Sequence, residues 1–254
     1  AISNVAVLGA DDLLLFELFD NIIEGQLPYG WVVEGEGEEN WGVTHTENAG
    51  GNSPELRLES DPTFVGITRL VTNSFELDNE EHLMLSFKQY LRNYWPDGNI
   101  ISVKLSFDDE PWITLWQYEI EDHVPPQKTE LFFNVPPTAN SAQIAWEFQG
   151  DIYTIYQWFI DEVVVSPVLE NDLKAVAISG DKLPTIGLEN LYNISVQNVG
   201  SLPQSQYTVK LMKAGGVEVA SQEGITLEFG EEHEYEFIWI PQEDDINIPF
   251  VYAQ

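Results

Sequence analysis

Two short runs, far apart in the chain, set carboxylates inside β-rich apolar sequence: Phe16-Glu17-Leu18-Phe19-Asp20 and Trp158-Phe159-Ile160-Asp161-Glu162-Val163-Val164-Val165. An unpaired charge in such surroundings is costly to bury. A hard cation within reach of both runs would offset that cost, and calcium takes roughly six to eight oxygens from carboxylates, carbonyls and water. Glu17 and Asp161 would bring the charge. Asn52, Ser53 and their neighbouring glycines, in Asn48-Ala49-Gly50-Gly51-Asn52-Ser53-Pro54, would bring carbonyls. Asp20 and Glu162 are substitutes in register. The rival account is the ordinary one for acids, that they are solvent-facing strand residues.

Aromatic side chains form the second group with chemical use. Tyr90, Tyr94 and Trp95 precede a Pro-Asp-Gly turn, and Trp112, Trp116 and Tyr118 lie on one alternating series. Alternate residues of a strand share a face, so the series would make a stacking surface for sugar rings or line a core. Large aromatics mostly fill interiors, which favours the core for Trp112 and Trp116 and leaves Trp95 as the better exposed candidate.

Catalytic patterns are missing. His45, His82, His123 and His233 are scattered, with no His-Glu-x-x-His motif, no Gly-x-Ser-x-Gly elbow and no phosphate-cradling glycine loop. The 43 acids offer many chance carboxylate pairs, and context singles out none for glycoside hydrolysis. No catalytic residues are assigned, and the chain is expected not to be an enzyme. The acidic runs Glu34–Asn40 and Asp108-Asp109-Glu110 read as solvated loops.

The elements that must position these groups are strands. Alternation dominates at Leu83–Leu91, Ile100–Phe107 and Ala142–Phe148, separated by turn-forming breaks such as Pro96-Asp97-Gly98-Asn99, Pro125-Pro126 and Pro136-Pro137. Many short strands with such turns predict β-sandwiches. Composition shifts near Ser166–Asn171: seven of eight tryptophans precede it, and net charge divides as −23 before and −10 after. Beyond it, Leu173–Ile178, Tyr192–Gln197, Tyr207–Met212, Val217–Ala220 and Tyr235–Ile240 follow an immunoglobulin-like rhythm, with Tyr192 and Trp239 expected in the core.

A net charge of −33 and no cysteine exclude nucleic acid as a plausible partner and rule out a disulfide scaffold or thiolate metal site. No apolar stretch approaches the ~20 residues of a membrane span. Ala1-Ile2-Ser3 opens without the basic start of a signal peptide, so any such peptide is expected upstream. Pro249–Gln254 reads as the start of a strand, as though the chain continued.

The residues Phe16-Glu17, Phe19-Asp20, Leu27-Pro28-Tyr29-Gly30-Trp31, Trp41, Ala49–Leu56 and Trp158–Val165 resemble the cleaved-adhesin or choice-of-anchor jelly rolls, relatives of MAM domains, over about residues 13 to 167. That resemblance implies a structural calcium between first strand, loop and last strand, held by Glu17 and Asp161 with Asn52 and Glu55. Asp172-Leu173, Tyr192–Gly200, Tyr207–Leu211, Gly216–Ala220 and Phe237–Pro241 resemble the immunoglobulin-like domain called CARDB. That family ends with a further acidic, Asn-rich strand, so its absence implies truncation at the C-terminus.

The expectation is all-β: a jelly-roll sandwich at 1–168 and an immunoglobulin-like sandwich at 171–254. Its expected function is a non-catalytic adhesion, binding or spacer module of an exported bacterial protein, extracellular or at the cell surface, stiffened by calcium. Its partner would be an extracellular protein or glycan. The alternatives are a carbohydrate-binding module with ligand residues Trp95, Trp112 and Trp116, or the ancillary region of a secreted hydrolase.

Overall fold

The computed structural model describes residues 13–78, 80–245 and 250–254. The expectations placed on Ala1–Ser3 and Pro249 therefore lie outside the described residues. The chain divides into two compact units between Pro167 and Val168, and both are all-β.

The first unit begins with β1 (Leu15–Glu17), β2 (Val32–Gly35), β3 (Trp41–Thr44), β4 (Glu55–Glu59), β5 (Val65–Val71) and β6 (Phe75–Glu76). It continues with β7 (His82–Asn93), β8 (Ile100–Phe107), β9 (Ile113–Glu119), β10 (Val124–Asn134), β11 (Ser141–Asp151) and β12 (Ile155–Pro167). One sheet runs β10-β7-β12-β4-β3 with β1 also on β12. The other runs β2-β5-β11-β8-β9 with β6 also on β11. All of these pairings are antiparallel. The alternation of β7 sends Leu85, Phe87 and Leu91 inward, and that of β11 does the same for Ile144, Trp146 and Phe148. Trp146 lies at the centre, stacked on Trp31 at 5.8 Å and edge-on to Phe87 at 5.6 Å. Such packing of large apolar groups is the main favourable term in folding the unit.

Two local expectations are corrected. Pro125 and Pro126 do not break the chain but lie within β10, where the register slips between Val124 and Gln127. β10 is an edge strand, so the missing N–H groups cost no ladder bond to a second neighbour. Trp112, Trp116 and Tyr118 do not share a face. Val103 pairs with Trp116 but Lys104 pairs with Thr114, so Leu115 is an extra residue that reverses the alternation. Trp116 and Tyr118, stacked at 6.4 Å, pack against the core, whereas Trp112 turns to the outer face.

The second unit pairs β13 (Leu173–Gly180), β14 (Asn190–Asn198) and β17 (Glu232–Trp239) in one sheet. The other sheet holds β15 (Thr208–Lys213), β16 (Val217–Glu223) and β18 (Val251–Ala253). Tyr192 and Trp239 are buried 6.3 Å apart in its core with Ile194, Leu211 and Phe237.

Candidate functional site

Asp161 occupies a built irregularity. The β12–β7 register shifts between Asp161 and Val164, and Glu162 takes a left-handed φ of 49°, a conformation uncommon outside glycine. The result is an Asp161 side chain only 1% exposed. Its Oδ1 accepts the Glu162 N–H at 2.7 Å, while its buried Oδ2 has no hydrogen-bond partner among the described residues. Gly51 closes over that oxygen: a β-carbon there would fall 1.8 Å from Oδ2. Burial, reinforced by the charges of Glu162 and Glu55, raises the Asp161 carboxyl to about 7, against the opposing Glu162 N–H bond and the Lys88 charge.

Glu55 stands on β4 next to Leu56, which pairs with Ile160 of β12, and is fully buried. Its Oε1 accepts from Thr46 Oγ1, Asn48 N and Asn48 Nδ2, at 2.6, 2.6 and 3.0 Å, and its Oε2 accepts from Ala49 N at 2.7 Å. Glu55 thus folds the 45–53 loop back onto the sheet. Lys88 ties the same loop to the last strand, donating to the Gly50 carbonyl at 3.0 Å and Glu162 Oε1 at 2.8 Å. Glu17 stands opposite Val163 on β12, and its Oε1 accepts the Phe19 N–H at 2.6 Å. Asn52 is exposed. The structure therefore brings Asp161, Glu55 and the glycine loop together. Among the described residues, no three His, Asp or Glu side chains form a metal-holding group.

The outer face of the second sheet carries another assembly. Arg69 donates through Nε to Glu147 Oε2 at 2.8 Å, pairs with the same carboxylate through Nη2, and reaches Glu34 Oε2 through Nη1 at 2.9 Å. Lys104 approaches Glu147 Oε1 at 3.3 Å and donates to Thr114 Oγ1 at 2.9 Å. The Arg69 guanidinium lies 5.1 Å from the centre of the Trp112 ring. Arg69 stands on β5 and Trp112 precedes β9, so the two side chains meet over the intervening β11 and β8.

A third cluster sits where β7 ends beside the 3-10 turn Ile152–Thr154. Tyr94 and Trp95 both donate their N–H groups to the Thr154 carbonyl, at 2.8 and 2.9 Å. Tyr94 lies edge-on to Tyr153 at 5.8 Å and to Tyr156 at 5.0 Å, and the Arg92 guanidinium covers Tyr156 at 4.6 Å. Trp95 is 66% exposed and Tyr153 60%. Tyr153 also walls a depression of about 340 Å³ lined by Thr63, Phe64, Val65 and Asp151. Of this cluster the sequence pointed to Tyr94 and Trp95, with Trp95 as the better exposed candidate. Tyr153 and Tyr156 escape alternation because a turn separates them.

No protein-family model and no curated protein matches this chain. Among solved structures, it is similar to the K3 cleaved adhesin domain of Lys-gingipain from Porphyromonas gingivalis W83, with 16% identity, 61% of this chain and 99% of that one covered, and a TM-score of 0.41. The carbohydrate-binding module TmCBM61, solved in complex with β-1,4-galactotriose, is 17% identical over 55% of this chain and 89% of its own, with a TM-score of 0.40. The C-terminal family 22 carbohydrate-binding module of Clostridium thermocellum Xyn10B is 15% identical over 63% and 97%, also at 0.40.

Proposed function

We propose that this chain is a non-catalytic binding module of an extracellular or cell-surface protein, and that a calcium ion at Asp161 stiffens its first sandwich. The observation that carries the calcium reading is the buried, unpartnered Oδ2 of Asp161 under Gly51. A carboxylate oxygen there demands either a proton or a cation. A hard cation prefers oxygen ligands such as this carboxylate and the carbonyls of the neighbouring loop. Asp161 would supply the charge, with Glu17, loop carbonyls and water as further ligands. Glu55, whose oxygens are already taken by four donors, would shape the loop. The ion would then pin the 45–53 loop to the last strand and hold the surrounding surface rigid for a partner. Elemental analysis of protein dialysed against calcium tests this: about one equivalent is expected, lost in Asp161→Asn. Equal and negligible calcium in both proteins would remove the ion from the account.

A second reading, a carbohydrate-binding module, draws on Trp112 laid over the sheet face beside Arg69, Glu147 and Glu34. An aromatic surface ringed by hydrogen-bonding groups is what sugar recognition uses. Retardation of the protein in gels containing soluble polysaccharide would support it, and unchanged mobility across neutral and acidic polysaccharides would dismiss it. Among the described residues no helix is long and apolar enough to cross a membrane.

A further inference from the structure

The corner at the end of β7 has a composition and a rigidity that the sandwich itself does not require. Its rings, Tyr94, Tyr153, Tyr156 and Trp95, are each exposed by 42 to 66%. Leaving so much aromatic surface in water forgoes burial that would stabilise the fold. Yet the rings are not loose. Tyr94 lies edge-on to two neighbours, and the backbone beneath is fastened to Thr154. The Tyr153 backbone is fixed too, because its N–H, the second of the 3-10 turn, donates to the capping Asp151 Oδ1 at 3.1 Å. Preorganised aromatic surface of this kind lowers the ordering cost of binding.

Arg92 supplies the second, independent observation. The first unit has six basic residues, and five of them, Arg57, Arg69, Lys88, Lys104 and Lys128, are ion-paired with carboxylates. Arg92 has no ion pair among the described residues, although 29 acids occupy the same unit. Its guanidinium instead lies over the Tyr156 ring at 4.6 Å, and the residue is exposed, so a charged group rich in N–H donors borders the aromatic corner. Beside Tyr153, the depression adds the Asp151 carboxylate and the Thr63 hydroxyl.

We propose that the Tyr94–Tyr153–Tyr156 corner, with Arg92 and Asp151 as its polar ends, is a binding site for a neutral pyranose glycan, separate from the Trp112 face. The inference rests on the reading of the chain as a binding module and names a site and ligand class within it. Sugar rings present C–H faces to aromatic rings and hydroxyls to the groups around them. The corner offers both, with donors at Arg92 and acceptors at Asp151. Rings and guanidinium groups of these types also serve protein interfaces, so a protein partner is the alternative that an absence of retardation by every polysaccharide would favour. A polyanionic glycan is opposed by the −33 net charge of the chain.

The test is affinity electrophoresis of the full chain in gels containing xylan, β-1,4-galactan, galactomannan or hydroxyethyl cellulose, with hyaluronan as the acidic comparison. At least one neutral polysaccharide is expected to retard the protein, and hyaluronan is not. Tyr153→Ala and Tyr94→Ala should each weaken the apparent affinity about tenfold or more, as loss of a central aromatic contact does. Arg92→Met should weaken it by less, and Tyr29→Ala, at a remote exposed ring, should leave it unchanged. Melting curves check that each variant is folded, and Trp95→Ala serves if a tyrosine variant is not. If the wild type is not retarded by any polysaccharide, both the corner and the carbohydrate reading fall. If retardation survives Tyr153→Ala and Tyr94→Ala but is lost in Trp112→Ala, the carbohydrate reading stands and the corner is overturned. Retardation by hyaluronan alone overturns the ligand class.

Discussion

Glu147 and Asp161 are both carboxylates buried in the same sandwich, at 5% and 1% exposure, yet they are treated in opposite ways. Glu147 is neutralised from within the chain, with Arg69 on one oxygen and Lys104 on the other. The cation acting on Asp161 is Lys88, which is committed to Gly50 and Glu162, and the second Asp161 oxygen has no partner among the described residues. The difference shows how a buried charge can be either completed by the fold or left for something else to complete. An ion pair needs a basic residue in the right register, and this chain has only 10 of them. Where none is available, a proton or a metal must serve.

The largest effect is expected from breaking the completed side of the comparison. Arg69→Met removes the main partner of Glu147, leaves only Lys104 beside it, and should lower the stability of the first unit by about 3 kcal/mol, the low end of the range for breaking a buried ion pair. Urea denaturation would measure it, and the loss should be the same with calcium or chelator. A loss that vanished in calcium would mean the two sites are coupled rather than independent.

On the incomplete side, saturating calcium should stabilise the first unit by about 2.7 kcal/mol at a hundredfold excess over its dissociation constant. Scanning calorimetry should show the first unit melting several degrees lower in chelator, with the second unit unchanged. Coincident curves would leave Asp161 to be completed by a proton alone.

The proton alternative gives a pH test. Asp161 is raised from 3.8 to about 7 in the folded chain, so the metal-free fold binds that proton more tightly than the unfolded chain does. Its contribution to stability is full below about pH 4 and is lost as the pH rises through about 7. In chelator, the first unit should therefore melt higher at pH 5 than at pH 8. Asp161→Asn should flatten this dependence and raise the metal-free melting point at pH 8, and calcium should restore wild-type stability there. A pH dependence unchanged in Asp161→Asn would show that other groups cause it.

The smallest effect separates the rim of the Glu147 assembly from its centre. Trp112→Ala removes a cation–π contact at 5.1 Å and should lower stability by about 0.5–1 kcal/mol. A loss approaching that of Arg69→Met would make Trp112 part of what keeps Glu147 dry.

Much of the architecture was legible in the residues themselves. The alternation of Ile100–Phe107 reproduces β8 to the residue, and the break near Pro167 shows in the tryptophan distribution. Period-two burial is a local property that side-chain order imposes directly on a strand. The exceptional character of Asp161 was legible too, because a carboxylate between Ile160 and Val163 conflicts with that pattern. Tertiary structure alone decided what the conflict became. Only the β12 bulge and the closure of Gly51 determine that one Asp161 oxygen is left without a partner, and only the Glu55 hydrogen bonds show that this acid anchors a loop. The same holds for Trp112. A single inserted residue at Leu115 reverses the alternation, and no count of residues along the strand reveals which strand carries the extra one. The aromatic corner joins side chains some sixty residues apart, Arg92 and Tyr94 with Tyr153 and Tyr156. Their meeting depends on the pairing of β7 with β12, a long-range choice that sequence order constrains but does not state.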